Sequence, residues 1–347
     1  MDFLILKPSS LGDILHAFPA VSALLRAYPD SHADWLVCPA FADILSYLPG
    51  LRRTILFERK KLGSAASFLP AFYGLVRGLR GQRYDAVIDL QGLARSAFAG
   101  WLASARIHAG PAHPREGIAS VCYSRKLQEG EKPHAVDRCN SMIADFLGRR
   151  DLDFSFRMPV VPRFEQAALQ LLPEGGGSFC AVAPGARWDT KQWPASFFAD
   201  SMHRLAALRP DMRFLILGSP GEKLLADDLR QRTADLSVEN LCGRTSVGVL
   251  TELIRKSSVL LCNDSGPMHI AAALEVPVVA VFGPTDPART GPYSAKSSVL
   301  QASLPCISCF KRYCTEKTCQ TKILPETVAE QADLLIRKFS ATDHRMN

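Results

Sequence analysis

Three stretches of this chain bring together residues suited to a phosphorylated, hydroxyl-rich ligand. In SVLLCNDSGPMH an apolar run ends in Asp264-Ser265-Gly266-Pro267 and passes into a helical pattern near Met268 and His269. A helix start preceded by small residues offers free backbone N–H groups and the positive end of its dipole, so Ser265 and Gly266 can cradle a diphosphate. Asp264, at the tip of the run, can accept hydroxyl hydrogens from a sugar, and His269, one turn in, can point at the same phosphates. The plainer account is an N-capped helix with a surface histidine. In AVAPGARWDTKQWP an apolar run again meets a glycine turn, with Lys191 placed where an ammonium would meet an anionic leaving group. A surface lysine beside a structural tryptophan pair is the alternative. Glu222, after FLILGSPG, can hydrogen-bond a ribose or a base, and a first-turn helix acid explains it equally well.

A fourth cluster has different chemistry. Cys306, Cys309, Cys314 and Cys319 crowd into PCISCFKRYCTEKTC, and four cysteines at short spacing can close a tetrahedral zinc site. The spacing is not one of the common paired knuckles, so free thiols or an occasional disulfide stand beside that reading. The other six cysteines are scattered, several inside apolar runs, and read as core packing.

The elements that would hold these residues alternate. DFLILKPSSLGD reads as strand and glycine turn, and ILHAFPAVSALLRAYP continues it as a helix. ADWLVCP with FADILSYL, TILFER with LPAFYGLVRGLRGQ, and YDAVIDLQG with LARSAFAGWLA repeat the pattern. The pattern loosens between Asp151 and Ser178, the candidate linker, and then restarts. FCAVAPG, FLILGSP, VENLCG, SVLLCND and VPVVAVFG give strands with helices between them. Strands alternating with helices imply parallel sheets covered on both faces, with ligands at the carboxyl ends of the strands. The fold class is therefore α/β, with two Rossmann-like domains facing a cleft. Domains are expected at 1–160 and 161–325, and the stretch 326–347 is expected to form a C-terminal helix and tail that packs on either domain, including a return to the first. The strict GxGxxG dinucleotide fingerprint is absent.

At 347 residues the chain exceeds one ordinary core and suits two. Apolar residues at 47% against 22% charged exclude a disordered chain. No stretch approaches the roughly 20 uninterrupted apolar residues of a spanning helix, and the N-terminal FLIL is too short for a signal peptide, so a cytoplasmic protein is expected. The formal charge of +7 suits anionic small molecules or an acidic membrane surface and is too weak to argue for nucleic acid.

Taken together, PGARWDTKQWP, GRTS at Gly243 to Ser246, DSGPMH and GPTDP at Gly283 to Pro287, in that order, resemble the heptosyltransferase family. The resemblance spans nearly the whole chain. It implies a GT-B glycosyltransferase in which Lys191, Glu222, Gly243, Thr245, Asp264, Ser265, Gly266 and His269 bind the donor ADP-heptose. The family's first turn is matched by KPSSLGDILH, which makes Asp13 the implied base and puts Ser10 and Gly12 with the acceptor. A base is needed because a hydroxyl is a weak nucleophile; an Asp that only caps the helix is the alternative. No metal or other cofactor is implied, since protein cations and N–H groups can neutralise the diphosphate.

YDAVIDLQGLARSA, REGIASVCYSRK and HAVDR look like heptosyltransferase I in particular. That type adds heptose to the Kdo sugars of lipid A, and Arg59, Lys60, Lys61 and Arg115 fall where it binds this acidic acceptor. The cysteine-rich loop is closer to heptosyltransferase II, which adds a second heptose. The resemblance implies transfer of L-glycero-D-manno-heptose with inversion, catalysed by Asp13 and Lys191, by a monomer peripheral to the inner face of the cytoplasmic membrane. Rival readings are a family member with another sugar nucleotide or glycan acceptor, a non-catalytic sugar-nucleotide binding protein, and an epimerase-type enzyme.

Overall fold

FLIL, AVID, FCAVA, VLLC and VVAVF are apolar on both faces of an extended chain, so each needs cover on both sides and becomes an interior strand. The computed structural model describes residues 1–174 and 177–343. The chain divides into two compact units, Met1–Pro159 and Val160–Asn347.

In the first unit the strands are β1 (Asp2–Leu6), β2 (His32–Val37), β3 (Leu51–Leu56), β4 (Arg83–Asp89), β5 (Ser104–Pro111) and β6 (Arg125–Leu127). The helices are α1 (Leu11–Ala27), α2 (Arg59–Leu62), α3 (Phe68–Arg80), α4 (Ala94–Leu102) and α5 (Ala135–Leu147). The strands form one parallel sheet in the order β3-β2-β1-β4-β5-β6. Its core runs through Leu4, Leu6, Leu36, Leu75, Leu79 and Val87. FADILSYL, expected as a helix, is a 3-10 segment from Pro39 to Tyr47.

The second unit carries β7 (Phe179–Ala183), β8 (Arg213–Ile216), β9 (Val238–Asn240), β10 (Val259–Asn263), β11 (Val278–Phe282) and β12 (Ser297–Gln301). Its helices are α6 (Pro162–Leu169), α7 (Ala195–Leu208), α8 (Lys223–Arg232), α9 (Val247–Arg255), α10 (Gly266–Ala273), α11 (Pro287–Thr290), α12 (Thr318–Thr321) and α13 (Pro325–Asp343). The sheet order is β12-β11-β10-β7-β8-β9, again parallel throughout.

Helix α13 packs on α7 and over β10, β11 and β12. Val328, Ala329, Ala332, Leu335 and Ile336 complete the core of the second sheet. Arg209 adds an ion pair to Asp333 at 2.8 Å. The helix therefore packs within the second unit, one of the two placements the sequence leaves open: its apolar stripe meets an apolar face that α7 leaves beside it.

Each sheet has one place where the strand order reverses, between β1 and β4 and between β7 and β10. The registers Leu6↔Asp89 and Ala183↔Cys262 bring the turns after these strands out side by side. Ligands of open parallel sheets bind at such a point. Among the described residues, no helix is long and apolar enough to cross a membrane.

Candidate functional site

At the first unit's reversal, β1 ends and the chain turns through Ser10 into α1. Asp13 is the third residue of the helix, and its Oδ2 accepts from Ser10 N and Ser10 Oγ, both at 2.8 Å. This satisfies a backbone donor at the helix start, the reciprocal bond of a capping box. Among the described residues, Oδ1 has no hydrogen-bond partner.

Beside this turn, the carboxylate of Asp89 at the end of β4 is buried. It accepts from Tyr123 OH at 2.8 Å, Ser96 Oγ at 2.9 Å and the N–H groups of Gln91 and Gly92 at 2.8 and 3.1 Å. Burial outweighs these bonds and pushes its pKa up. The ammonium of Lys7 is also buried and donates to Leu90 O, tying the two turns together. Sequence reasoning did not single out Asp89 or Lys7. Their signal was position alone, since each stands at the carboxyl end of an interior strand.

Arg115 is exposed and sits near the turn after β4, where Glu116 N donates to Gly92 O at 3.2 Å. Arg59, Lys60 and Lys61 form the exposed helix α2. Among the described residues, Lys61 alone of the three has a carboxylate partner, Glu58 at 2.7 Å.

The second unit assembles its residues from five neighbouring strand tips. Lys191 lies on a short 3-10 turn after β7, and its Nζ meets Asp264 Oδ2, just past β10, at 2.6 Å. The same oxygen accepts from Thr285 Oγ1 at 2.5 Å. Lys191 also lies over the Trp188 ring, 4.7 Å from its centre. Asn263 fixes the two turns together, donating to Pro184 O at 2.7 Å and accepting from Trp193 N at 3.0 Å. Among the described residues, these bonds leave Asp264 Oδ1 and two of the three ammonium donors of Lys191 for another partner.

Ser265 is the N-cap of α10, and its buried Oγ has no hydrogen-bond partner among the described residues. An unpaired hydroxyl beside free helix N–H groups is what an anion would satisfy. Gly266 opens the helix and His269 follows, half-buried, one turn in.

Glu222 ends a 3-10 turn after β8 and accepts at Oε2 from Ser219 N at 2.6 Å and Ser219 Oγ at 2.7 Å. Its Oε1 fills the space beside Gly185, where a Cβ would stand 1.8 Å away. The glycine of PGARW is thus required by a residue 37 positions along, which one sequence read alone does not disclose. Gly243, after β9, has φ +75° and lies against Pro220, with its N–H on Gly218 O at 2.9 Å. Thr245 is half-buried two residues further on.

Thr285 and Asn263 were missed as individual residues although both lie in motifs read for other reasons. Their role depends on which side chain each faces.

All four clustered cysteines line one small pocket beside Thr190 and Pro284. Burial, with charge on its three neighbours, pushes the Cys319 thiol up, whereas the N–H groups of Lys317 and Glu316 hold exposed Cys314 down. Among the described residues no three His, Cys, Asp or Glu side chains close into a metal ligand set. The four cysteines share this pocket. The loop braces the site. Thr190 Oγ1 donates to Lys311 O at 2.8 Å, Gln320 Nε2 to Thr190 O at 2.9 Å, and Phe310 N to Pro284 O at 2.8 Å.

The second unit thus pairs a positive, N–H-rich wall with free carboxylate oxygens, a site for an anionic leaving group carried by a polyhydroxy compound; the arrangement is that of a group-transfer enzyme using an activated sugar. The chain belongs to glycosyltransferase family 9 (heptosyltransferase), whose model matches residues 72–320. It is 28% identical to lipopolysaccharide heptosyltransferase 1 of Pseudomonas aeruginosa, over 97% of this chain and 98% of that one. To lipooligosaccharide heptosyltransferase 2 of Campylobacter jejuni the identity is 26%, over 97% and 99%. The solved structure of E. coli heptosyltransferase WaaC with ADP-2-deoxy-2-fluoro heptose superposes with a TM-score of 0.77 at 27% identity, over 96% of this chain and 99% of that one. The α/β architecture expected from the strand pattern is thus that of the GT-B heptosyltransferases.

Proposed function

We propose that the protein transfers L-glycero-D-manno-heptose from ADP-heptose to the Kdo region of the lipopolysaccharide inner core, by one displacement that inverts the anomeric centre. The observation that carries this is the convergence of Lys191, Asp264 and Ser265 at the point where the second sheet reverses. Lys191 and the N–H groups at Ser265 and Gly266 neutralise the diphosphate as it departs, and His269 assists. Asp264 Oδ1 accepts from a heptose hydroxyl. Glu222, Gly243 and Thr245 line the nucleoside, with Glu222 on the ribose or base. No metal takes part in this scheme.

Asp13 is the base: its Oδ1 takes the proton of the acceptor hydroxyl as the anomeric bond breaks. Ser10 and Gly12 lie with it on the acceptor side. Arg59, Lys60, Lys61 and Arg115 pair with the carboxylates and phosphates of the acceptor. An acceptor carried on lipid A places the protein at the inner face of the cytoplasmic membrane. Support for the donor comes from the WaaC complex with a fluorinated ADP-heptose, and for the first heptose from the heptosyltransferase 1 relative.

The test is incubation of purified protein with ADP-heptose and either Kdo-lipid A or an already heptosylated acceptor, with product stereochemistry read by NMR. Turnover of Kdo-lipid A alone, with inversion, is expected. Turnover of the heptosylated acceptor alone would assign the second heptose, the reading to which the cysteine loop leans, and retention would overturn the single displacement.

A further inference from the structure

Six large apolar side chains stand out from the first unit: Leu69 and Tyr73 on α3, Phe98 and Trp101 on α4, and Ile118 and Val121 on the 3-10 turn Gly117–Cys122. Their exposure runs from 48% at Phe98 to 83% at Val121. The three elements are neighbours, since α4 packs against both α3 and the turn. Arg80 of α3 donates from Nε to Leu102 O, at the end of α4, at 3.0 Å.

Packing on the sheet explains which residues turn outward. Helix α4 lies so close at Gly100 that a Cβ there would stand 2.7 Å from Leu6 Cδ1. Ala97 and Ala99 are buried. Phe98 and Trp101, three residues apart, are left on the outer face, where their rings stack with centres 5.9 Å apart. The folded unit has no use for this apolar surface, and a contiguous patch of this kind marks an interaction site.

The surrounding charge identifies the partner. Between Arg52 and Lys126, Lys and Arg far outnumber Asp and Glu. Arg77 lies one turn beyond Tyr73, Arg95 one turn before Phe98, and Arg59 and Lys60 on α2 beside α3. All four are exposed, and none has a carboxylate partner among the described residues. The nearest acids are occupied: Glu58 by Lys61 at 2.7 Å and Glu116 by the N–H of Ala94 at 2.8 Å. Apolar tips ringed by unpaired cations match the headgroup layer of an anionic bilayer, where rings and aliphatic tips sink and guanidinium groups meet phosphate.

We propose that this face docks on anionic phospholipid, with Phe98, Trp101, Ile118 and Val121 entering the headgroup layer and Arg77 and Arg95 pairing with phosphates. The purpose of docking rests on the lipid-linked acceptor proposed above. The docking itself needs no sugar transfer.

The test uses the full chain with vesicles of phosphatidylglycerol mixed into phosphatidylcholine, against phosphatidylcholine alone, read by co-sedimentation. Binding to the anionic vesicles that weakens with salt is expected. Brominated acyl chains should quench tryptophan emission in the wild type and not in the Trp101→Ser variant, because Trp101 is 60% exposed, Trp188 is half-buried in the second unit, and Trp35 and Trp193 are buried. Trp101→Ser with Val121→Ser should weaken binding about tenfold, from lost apolar burial. Arg77→Gln with Arg95→Gln should cost about fivefold for each charge. These sites lie on the surface, so folding is checked simply by an unchanged Tm. Equal binding to both vesicle types, or variants that bind like the wild type, overturns the proposal. So does concentration-dependent dimerisation that Trp101→Ser abolishes, because the face then covers a second copy. Transfer to a water-soluble acceptor fragment should persist in the Ser variant while transfer to vesicle-embedded acceptor falls. If vesicle binding holds and neither acceptor is turned over, the transfer reading fails and the docking stands.

Discussion

The cap at the start of α1 and the base proposed above draw on different oxygens of Asp13. Oδ2 accepts two bonds from Ser10 and closes the start of α1, which leaves Oδ1 for the proposed proton transfer. Capping and general-base catalysis, set against one another when only the sequence is read, are thus compatible in one carboxylate, and the cap would hold such a base in a single orientation. Asp13→Asn separates them, because an amide oxygen still accepts from Ser10. We expect kcat to fall by about 10²- to 10⁴-fold, with Tm nearly unchanged and ADP affinity intact by calorimetry. Full activity in Asp13→Asn would remove the base from the mechanism. Thr285 acts one step further out. Its hydroxyl lies 2.5 Å from the oxygen of Asp264 that also holds Lys191, so it fixes where the ammonium sits. A hydrogen bond to a charged group contributes about 1.5–3 kcal/mol. Thr285→Val, similar in shape, should therefore lower kcat roughly ten- to a hundredfold, with Thr285→Ser restoring most of it. A purely structural hydroxyl would lower Tm in Val and leave kcat per folded molecule unchanged.

At the scale of elements, the site depends on how closely two turns approach. Glu222, after β8, occupies the space beside Gly185, after β7. Gly185→Ala should displace the carboxylate and raise the KM for the donor, and Glu222→Ala should raise it too. In the double variant, steric conflict is gone but the carboxylate is also missing, so Tm should recover to that of Glu222→Ala while KM stays high. Recovery of both would show that the carboxylate makes no contact with the donor. The strand-turn-helix units carrying Asp13 and Ser265 were legible because their strands are apolar on both faces and end in glycine turns. Strands of mixed polarity were not. SARIHAGP (β5) and SSVLQ (β12) mix polar and apolar residues because they lie toward sheet margins, and no strand was read there. The short β6 and the helix α5 were also unread. Cap and glycine signals are local, whereas the pairing of Asp264 with Thr285 or of Gly185 with Glu222 exists only once distant turns share one sheet edge.

Over the whole molecule, each sheet encloses its own core, so acid and ligand should act on different parts of the chain. In the first unit Asp34 is fully buried. Burial pushes its carboxyl up, but bonds from Arg52, Arg53 and Tyr84, at 2.9, 2.7 and 2.7 Å, outweigh burial and hold it below the ordinary carboxylate range. A carboxylate held low in the folded state adds stability above its unfolded pKa, near about 3.9, and that stability is lost as pH falls through the lower folded value. Asp34→Asn has no such proton to take up. Hydrogen exchange read by mass spectrometry should therefore show β2, β3 and β4 less protected in Asp34→Asn than in the wild type at pH 6. The gap should close as the pH is lowered from about 4 toward 2. ADP should do the reverse in place and sign. At a hundred times its Kd it stabilises what binds it by about 2.7 kcal/mol, and the added protection should lie on β7, β10 and α10 with Asp34→Asn responding like the wild type. A gap that stays constant across the acid range would remove Asp34 from the acid response, and protection by ADP centred on β1 and α1 would move the nucleotide to the first unit.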